Sequence, residues 1–138
     1  SRYMAIVCVA VVGRSNNPLY LRIYHTDTSE LKLQFIVHTS LDIFEEKLKE
    51  SSTNTAYLGL LYPTEDFKVY GYITNTNVKL VVIVDDSDTK DAEMRAFFEK
   101  FHLHYIRATC NPFYKIGEEI TSKKFTSSMD QLITSRGQ

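Results

Sequence analysis

The sequence predicts an α/β protein: a three-layer α/β/α sandwich built on a five-stranded mixed sheet, with elements in the order ββαβββαα. Three observations carry that prediction. Two stretches, Ala5 to Val12 and Val78 to Val84, are almost continuously apolar and rich in β-branched residues, as suits strands covered on both faces. Three further stretches repeat apolar residues at helical spacing, which supplies helices to cover those faces. The chain has 138 residues, 43% of them hydrophobic, enough for one core and too few for two ordinary domains.

The first strand should be central. Gly13 to Pro18 is dense in turn formers, after which Leu19, Leu21 and Ile23 alternate with Tyr20, Arg22 and Tyr24; this predicts a hairpin with a less buried second strand. Asp27, Thr28 and Ser29 offer N-caps to a long helix whose core stripe is Leu33, Val37, Leu41, Phe44 and Leu48. Beyond a polar loop at 51–55, Ala56 to Tyr62 and Phe67 to Thr74 read as strands joined across Pro63 to Asp66, followed by the apolar run from Val78. The two apolar strands are expected side by side in the middle of the sheet.

Asp85 to Asp88 should end the sheet and cap the next helix, whose face is Met94, Phe97, Phe98, Phe101 and Tyr105. Asn111-Pro112 stops that helix, because proline cannot continue it and biases the preceding residue towards extended backbone. Phe113 and Tyr114 are expected to anchor the following loop on the core. Phe125, Met129, Leu132 and Ile133 predict a short final helix. The expected unit is one domain from residue 4 to 138, with Ser1-Arg2-Tyr3 read as an expression scar.

Charge and cysteine usage narrow the function classes. Sixteen basic and 17 acidic residues nearly cancel, so no overall field draws the chain to nucleic acid or anionic membrane. Cys8 and Cys110 have no paired spacing, which argues against a disulfide framework and for a reducing compartment. No run approaches the roughly 20 apolar residues needed to span a bilayer, and a signal-type leader is not expected. A cytosolic protein is predicted.

Catalytic and ligand motifs are weak. His25, His38, His102 and His104 show no spacing that joins them to Cys8 or Cys110 as nucleophile and base. His102 and His104, two apart on a helix, point in different directions and make no metal pair. The acidic run 85–91 lacks the glycine turn and terminal glutamate of a calcium loop, and the scattered glycines form no phosphate loop. Neither an enzyme nor a cofactor or metal is expected.

A partner surface is better supported. Projected at about 100° per residue, the first helix carries Phe35, Thr39, Asp42 and Glu46 opposite its core stripe, with Leu31 and His38 beside them. An exposed aromatic with an aliphatic neighbour and a carboxylate is the composition of a docking patch; single exposed apolar residues are also common on ordinary surfaces. Leu103 projects from the later helix next to Lys100 and Arg107 as a second, weaker candidate. A competing reading makes Tyr20, Tyr24, Tyr70 and Tyr72, with Arg22 and Lys68, a stacking platform for single-stranded RNA. Near-zero net charge and doubly covered strands oppose it, and cross-strand packing beneath helices is the alternative role.

Several stretches together resemble the sedlin-like subunits of the TRAPP vesicle-tethering complex: Pro18-Leu19-Tyr20, His38-Thr39-Ser40-Leu41-Asp42, Tyr57 to Asp66, Val69-Tyr70-Gly71-Tyr72 and Cys110-Asn111-Pro112-Phe113-Tyr114. The resemblance runs from Met4 to about Met129. It departs from the family at Lys123-Lys124-Phe125-Thr126, where a basic pair replaces small polar residues before the aromatic. It implies the longin (profilin-like) fold and a non-catalytic role in a rod-like assembly that tethers transport vesicles at the ER and Golgi. Other TRAPP subunits would be its partners, and a Rab-type GTPase would be met indirectly, because nucleotide exchange belongs to other subunits. Neither nucleic-acid binding nor direct membrane insertion is implied. A longin-type domain that regulates a SNARE or small GTPase is the remaining alternative.

Overall fold

A computed structural model describes residues 5–24, 27–50, 56–85 and 89–135. Five strands, β1 (Ile6–Val12), β2 (Pro18–Ile23), β3 (Tyr57–Pro63), β4 (Phe67–Ile73) and β5 (Lys79–Asp85), are combined with helices α1 (Glu30–Glu50), α2 (Asp91–Thr109) and α3 (Lys123–Ser135). The chain order is ββαβββαα, as the hydrophobic periods predict. The sheet order is β2-β1-β5-β4-β3, so the two apolar runs pair in the middle and the alternating strands flank them.

The sheet corrects one expectation: every neighbouring pair is antiparallel, so it is not mixed. A helical crossover usually joins parallel neighbours. Here α1 joins β2 to β3, which run the same way but sit at opposite edges with three strands between them. The crossover therefore spans the sheet without creating a parallel pair.

Cover is divided as expected. On one face, Leu33, Ile36, Val37, Leu41 and Phe44 of α1 pack on Val69, Val81 and Ile83. On the other, Met94, Phe97, Phe98 and Phe101 of α2 and Phe125, Met129 and Leu132 of α3 pack on Val9, Val11, Leu80 and Val82. Burying each such side chain contributes about 1.5–3 kcal/mol, so both layers are integral to stability. In β1, a register shift between Ile6 and Cys8 places Val7 and Cys8 on the α1 side in succession, a bulge that simple alternation does not reveal.

Helix ends differ in their chemistry. Ser29 caps α1, its Oγ accepting from the Lys32 N–H at 3.2 Å, and Ser122 caps α3 by accepting from the Phe125 N–H at 3.1 Å. The expected cap at 85–88 is not where α2 begins: Lys90 is the N-cap residue, without a side-chain bond, while Asp91 and Glu93 place negative charge in the first turn. Asp86, Ser87 and Asp88 lie outside the described residues.

Two further expectations need correction. Leu48 is exposed, and no α1 residue beyond Phe44 is buried. A helix of 21 residues is about 30 Å long, whereas five strands spaced about 4.8 Å apart span only some 20 Å, so the last turns outrun their support. Phe113 is 92% exposed and anchors nothing. Only Tyr114 of that pair packs against the core, its hydroxyl donating to the Glu118 carbonyl at 2.7 Å.

Candidate functional site

The outer face of α1 follows from the register of its inner one. With Leu33, Ile36, Val37, Ser40, Leu41 and Phe44 turned to the sheet, residues half a turn away must face outwards. Leu31 is 76% and Phe35 68% exposed; His38, Asp42 and Glu46 are exposed and Thr39 is partly so. The structure thus brings together all six residues read as a patch on this helix. The Thr39 hydroxyl donates to the Phe35 carbonyl at 2.9 Å, which occupies it and holds that turn.

Ser29 sets where the helix starts, and Tyr62 fixes how it lies on the sheet by donating its hydroxyl to the Ile36 carbonyl at 2.9 Å. The patch is therefore presented on a braced scaffold. Beside it, a cavity of about 320 Å³ opens between α1 and the β2 edge, lined by Gln34, Val37, His38 and Leu41 with Pro18 and Leu21. Apolar surface bordered by carboxylates suits a protein contact, in which apolar groups exclude water and charge fixes orientation.

Leu103 is also exposed, at 45%, but it lies on α2, across the sheet from α1. It cannot share one contact surface with Phe35 and Asp42. Sequence projection identified its outward direction and could not place it in the other layer.

The tyrosine-rich face is not an open stacking platform, because α2 and α3 cover it. Tyr20 shares a 2.8 Å hydrogen bond with Thr126 and meets Phe125 edge-on at 4.8 Å. Tyr24 donates to Asp130 at 2.8 Å, and Tyr57 donates to Asp91 at 2.8 Å. Tyr72 lies 2.9 Å from His102 Nδ1 and stacks on Phe98. Burial is the leading cause that raises the Tyr20, Tyr24, Tyr57, Tyr70 and Tyr72 phenols above the ordinary value. These rings are structural.

The reactive inventory is equally dispersed. Cys8 is buried and Cys110 exposed at the end of α2; burial first, and Glu30 second, push the Cys8 thiol up to about 12. His102 is committed to Tyr72, and burial holds its imidazole below the ordinary value. Burial followed by Arg107 does the same to His104. His25 lies outside the described residues. Among those described, no three His, Cys, Asp or Glu side chains converge on a metal-sized site, and no helix is long and apolar enough to cross a membrane.

Sequence reasoning missed two features. Lys79 is buried in β5 with its ammonium donating to Asn16 Oδ1 at 2.9 Å, and desolvation is the main cause that lowers its pKa. Ile116 is 94% exposed, three residues after Phe113; no hydrophobic period in 113–117 signals it.

Comparison with known proteins accords with this architecture. Residues 11–135 match the family model for sedlin. The chain is 48% identical over 136 residues to the trafficking protein particle complex subunit 2-like protein of Dictyostelium discoideum, covering 94% of this chain and 97% of that one. It is likewise 48% identical to the protein of that name from Mus musculus, covering 94% of each. A solved structure described as the yeast R-SNARE Nyv1p, a longin domain protein, superposes with a TM-score of 0.57 at 13% identity, covering 99% of this chain and 91% of that one. That likeness establishes the longin fold alone. The chain belongs to the sedlin family.

Proposed function

We propose that this chain is a non-catalytic subunit of the trafficking protein particle (TRAPP) complex, acting through protein contacts in vesicle transport between the ER and Golgi and at the Golgi. The observation that carries this reading is 48% identity over nearly the whole length of two relatives bearing that name. Its partners are other TRAPP subunits, and a Rab-type GTPase is reached only through the assembled complex. It works in the cytoplasm, peripheral to ER and Golgi membranes, as one domain spanning residues 4–138. Nucleic acid has no part in this role.

The outer face of α1 is the docking surface in this reading. Leu31 and Phe35 supply the apolar anchor, while His38, Thr39, Asp42 and Glu46 form its polar rim. Support comes from the exposure of both apolar side chains on a helix whose opposite face is buried. Asp42→Tyr should reduce recovery of TRAPP subunits with the tagged full-length chain while leaving thermal stability nearly unchanged. Unfolding by that substitution would make Asp42 a structural residue and defeat the assignment. Recovery of a SNARE or small GTPase without TRAPP subunits would favour the regulatory alternative.

A further inference from the structure

Of the two edge strands, β3 is broken as a pairing template and β2 is not. The β3 ladder shifts register between Tyr57 and Gly59 and again between Leu60 and Tyr62, and bulged edges resist pairing with another chain. β2 keeps one register against β1 from Tyr20 to Ile23.

Hydrogen-bond parity shows which way the β2 backbone faces. The Tyr24 N–H donates to the Val7 carbonyl at 2.7 Å, which makes these two a hydrogen-bonded pair of the antiparallel ladder. Bonded and non-bonded pairs alternate, so Arg22 and Tyr20 also bond to β1, opposite Val9 and Val11. Leu21 and Ile23, opposite Ala10 and Cys8, therefore aim their N–H and C=O groups away from the sheet. The same parity turns Leu19 outwards, and there the Ile120 N–H donates to the Leu19 carbonyl at 2.8 Å. The chain itself begins to pair with this edge at Leu19, and the next two outward positions have no backbone partner among the described residues.

Side-chain placement shows what an added strand would bury. Leu21 and Ile23 pack towards α1, and Leu21 lines the cavity of about 320 Å³ with Val37, His38 and Leu41. A residue directly opposite Leu21 on a new strand carries its side chain to that same face, into the cavity. On the other face Tyr20, Arg22 and Tyr24 are already engaged by Thr126 and Asp130 of α3. A helix laid along β2 would leave the outward groups unpaired, because its own backbone bonds are satisfied internally. An extended segment pairs with them and fills the cavity together.

We propose that the subunit docked on the outer face of α1 also adds an extended segment to β2, its backbone bonded to Leu21 and Ile23 and its apolar side chains at alternate positions turned towards α1. The two contacts are continuous, because His38 belongs both to the α1 patch and to the cavity wall. The proposal rests on the TRAPP reading for the source of that segment.

The test is amide hydrogen exchange, read at residue resolution by mass spectrometry, on the isolated full-length chain and on the TRAPP assembly recovered through its tag. In the isolated chain the Leu21 and Ile23 amides should exchange faster than those of Tyr20 and Arg22; in the assembly they should slow at least about tenfold. Leu21→Pro removes an outward N–H and leaves the β1 ladder intact, a change that edge strands tolerate. It should lower recovery of one subunit about tenfold, the same one that Asp42→Tyr loses, and Leu21→Ala, which keeps the N–H, should lower it less. Should Leu21→Pro melt early, the wild-type exchange rates decide alone. Unchanged exchange at both amides on assembly, with Asp42→Tyr still losing a subunit, overturns the added strand and leaves docking on α1 intact. Protection at both amides, with Asp42→Tyr retaining every subunit, keeps the strand and fails the α1 assignment. Protection that appears in the isolated chain as its concentration rises would make the occupant a second copy and overturn the proposal. A tag that recovers no TRAPP subunit overturns both readings.

Discussion

A methyl group placed on Gly71 would lie 2.7 Å from Cζ of Phe44 and 2.8 Å from Cδ1 of Leu61, so the bare backbone of β4 makes room for the deepest aromatic of α1. Gly71→Ala therefore forces overpacking and should destabilise the fold by about 1–3 kcal/mol, seen as a lower melting temperature. In the double variant Gly71→Ala/Phe44→Leu the two losses should sum to less than their separate values, because the residues share one contact.

Asp130 ties α3 to the sheet edge. It accepts from the Tyr24 hydroxyl at 2.8 Å and from Arg22 Nη2 at 2.8 Å. The ion pair is substantially exposed, at 43% and 37% of its side chains, and is worth little by itself. The partly buried tyrosine bond matters more. Asp130→Ala should cost about 1–2 kcal/mol in chemical denaturation, and Asp130→Asn, which keeps an acceptor, should cost less.

Thiol chemistry should separate the cysteines. Native protein is expected to take one equivalent of an alkylating reagent at exposed Cys110, and the second only after unfolding. Cys8 ionises near 9.0 when free and at about 12 when folded, and the buried tyrosines are raised in the same direction. Between those values the unfolded chain holds fewer protons than the native one, so stability complete below pH 9 should fall progressively as pH rises towards 12. Denaturation midpoints measured from pH 8 to 11 would decline.

His102 works in the opposite direction. Its folded pKa lies below the ordinary 6.5, so its contribution is present above pH 6.5 and is lost as pH falls through the folded value. Ring resonances of His102 should titrate below 6.5. His102→Asn should flatten the stability decline between pH 6.5 and 5, with thermal unfolding as the readout.

How much of this was readable in the chain depends on which residues were asked. Ile6–Val12 and Lys79–Asp85 announced two central strands, since continuous β-branched runs need cover on both faces. Phe35 and Asp42 could be placed outwards because a 21-residue helix with a clear inner stripe fixes its own rotation. Strand direction was hidden, because the periodicity around α1 does not tell adjacent strands from opposite edges. Phe113 was misjudged because aromatic residues after a helix stop suggest anchoring, whereas here the polar groups of Asn111 and Tyr114 shape the loop. Leu103 on a face opposite Phe35 is a tertiary fact that no local pattern contains.

The cover of the sheet is lopsided: one rod shields one side and two share the other. Peeling α1 away bares half the interior at once, so that side should open as a single unit, and protease should find the lone chain there first. A neighbour seated on the outward flank of α1, as proposed, would press the inward flank home and so guard the chain against degradation.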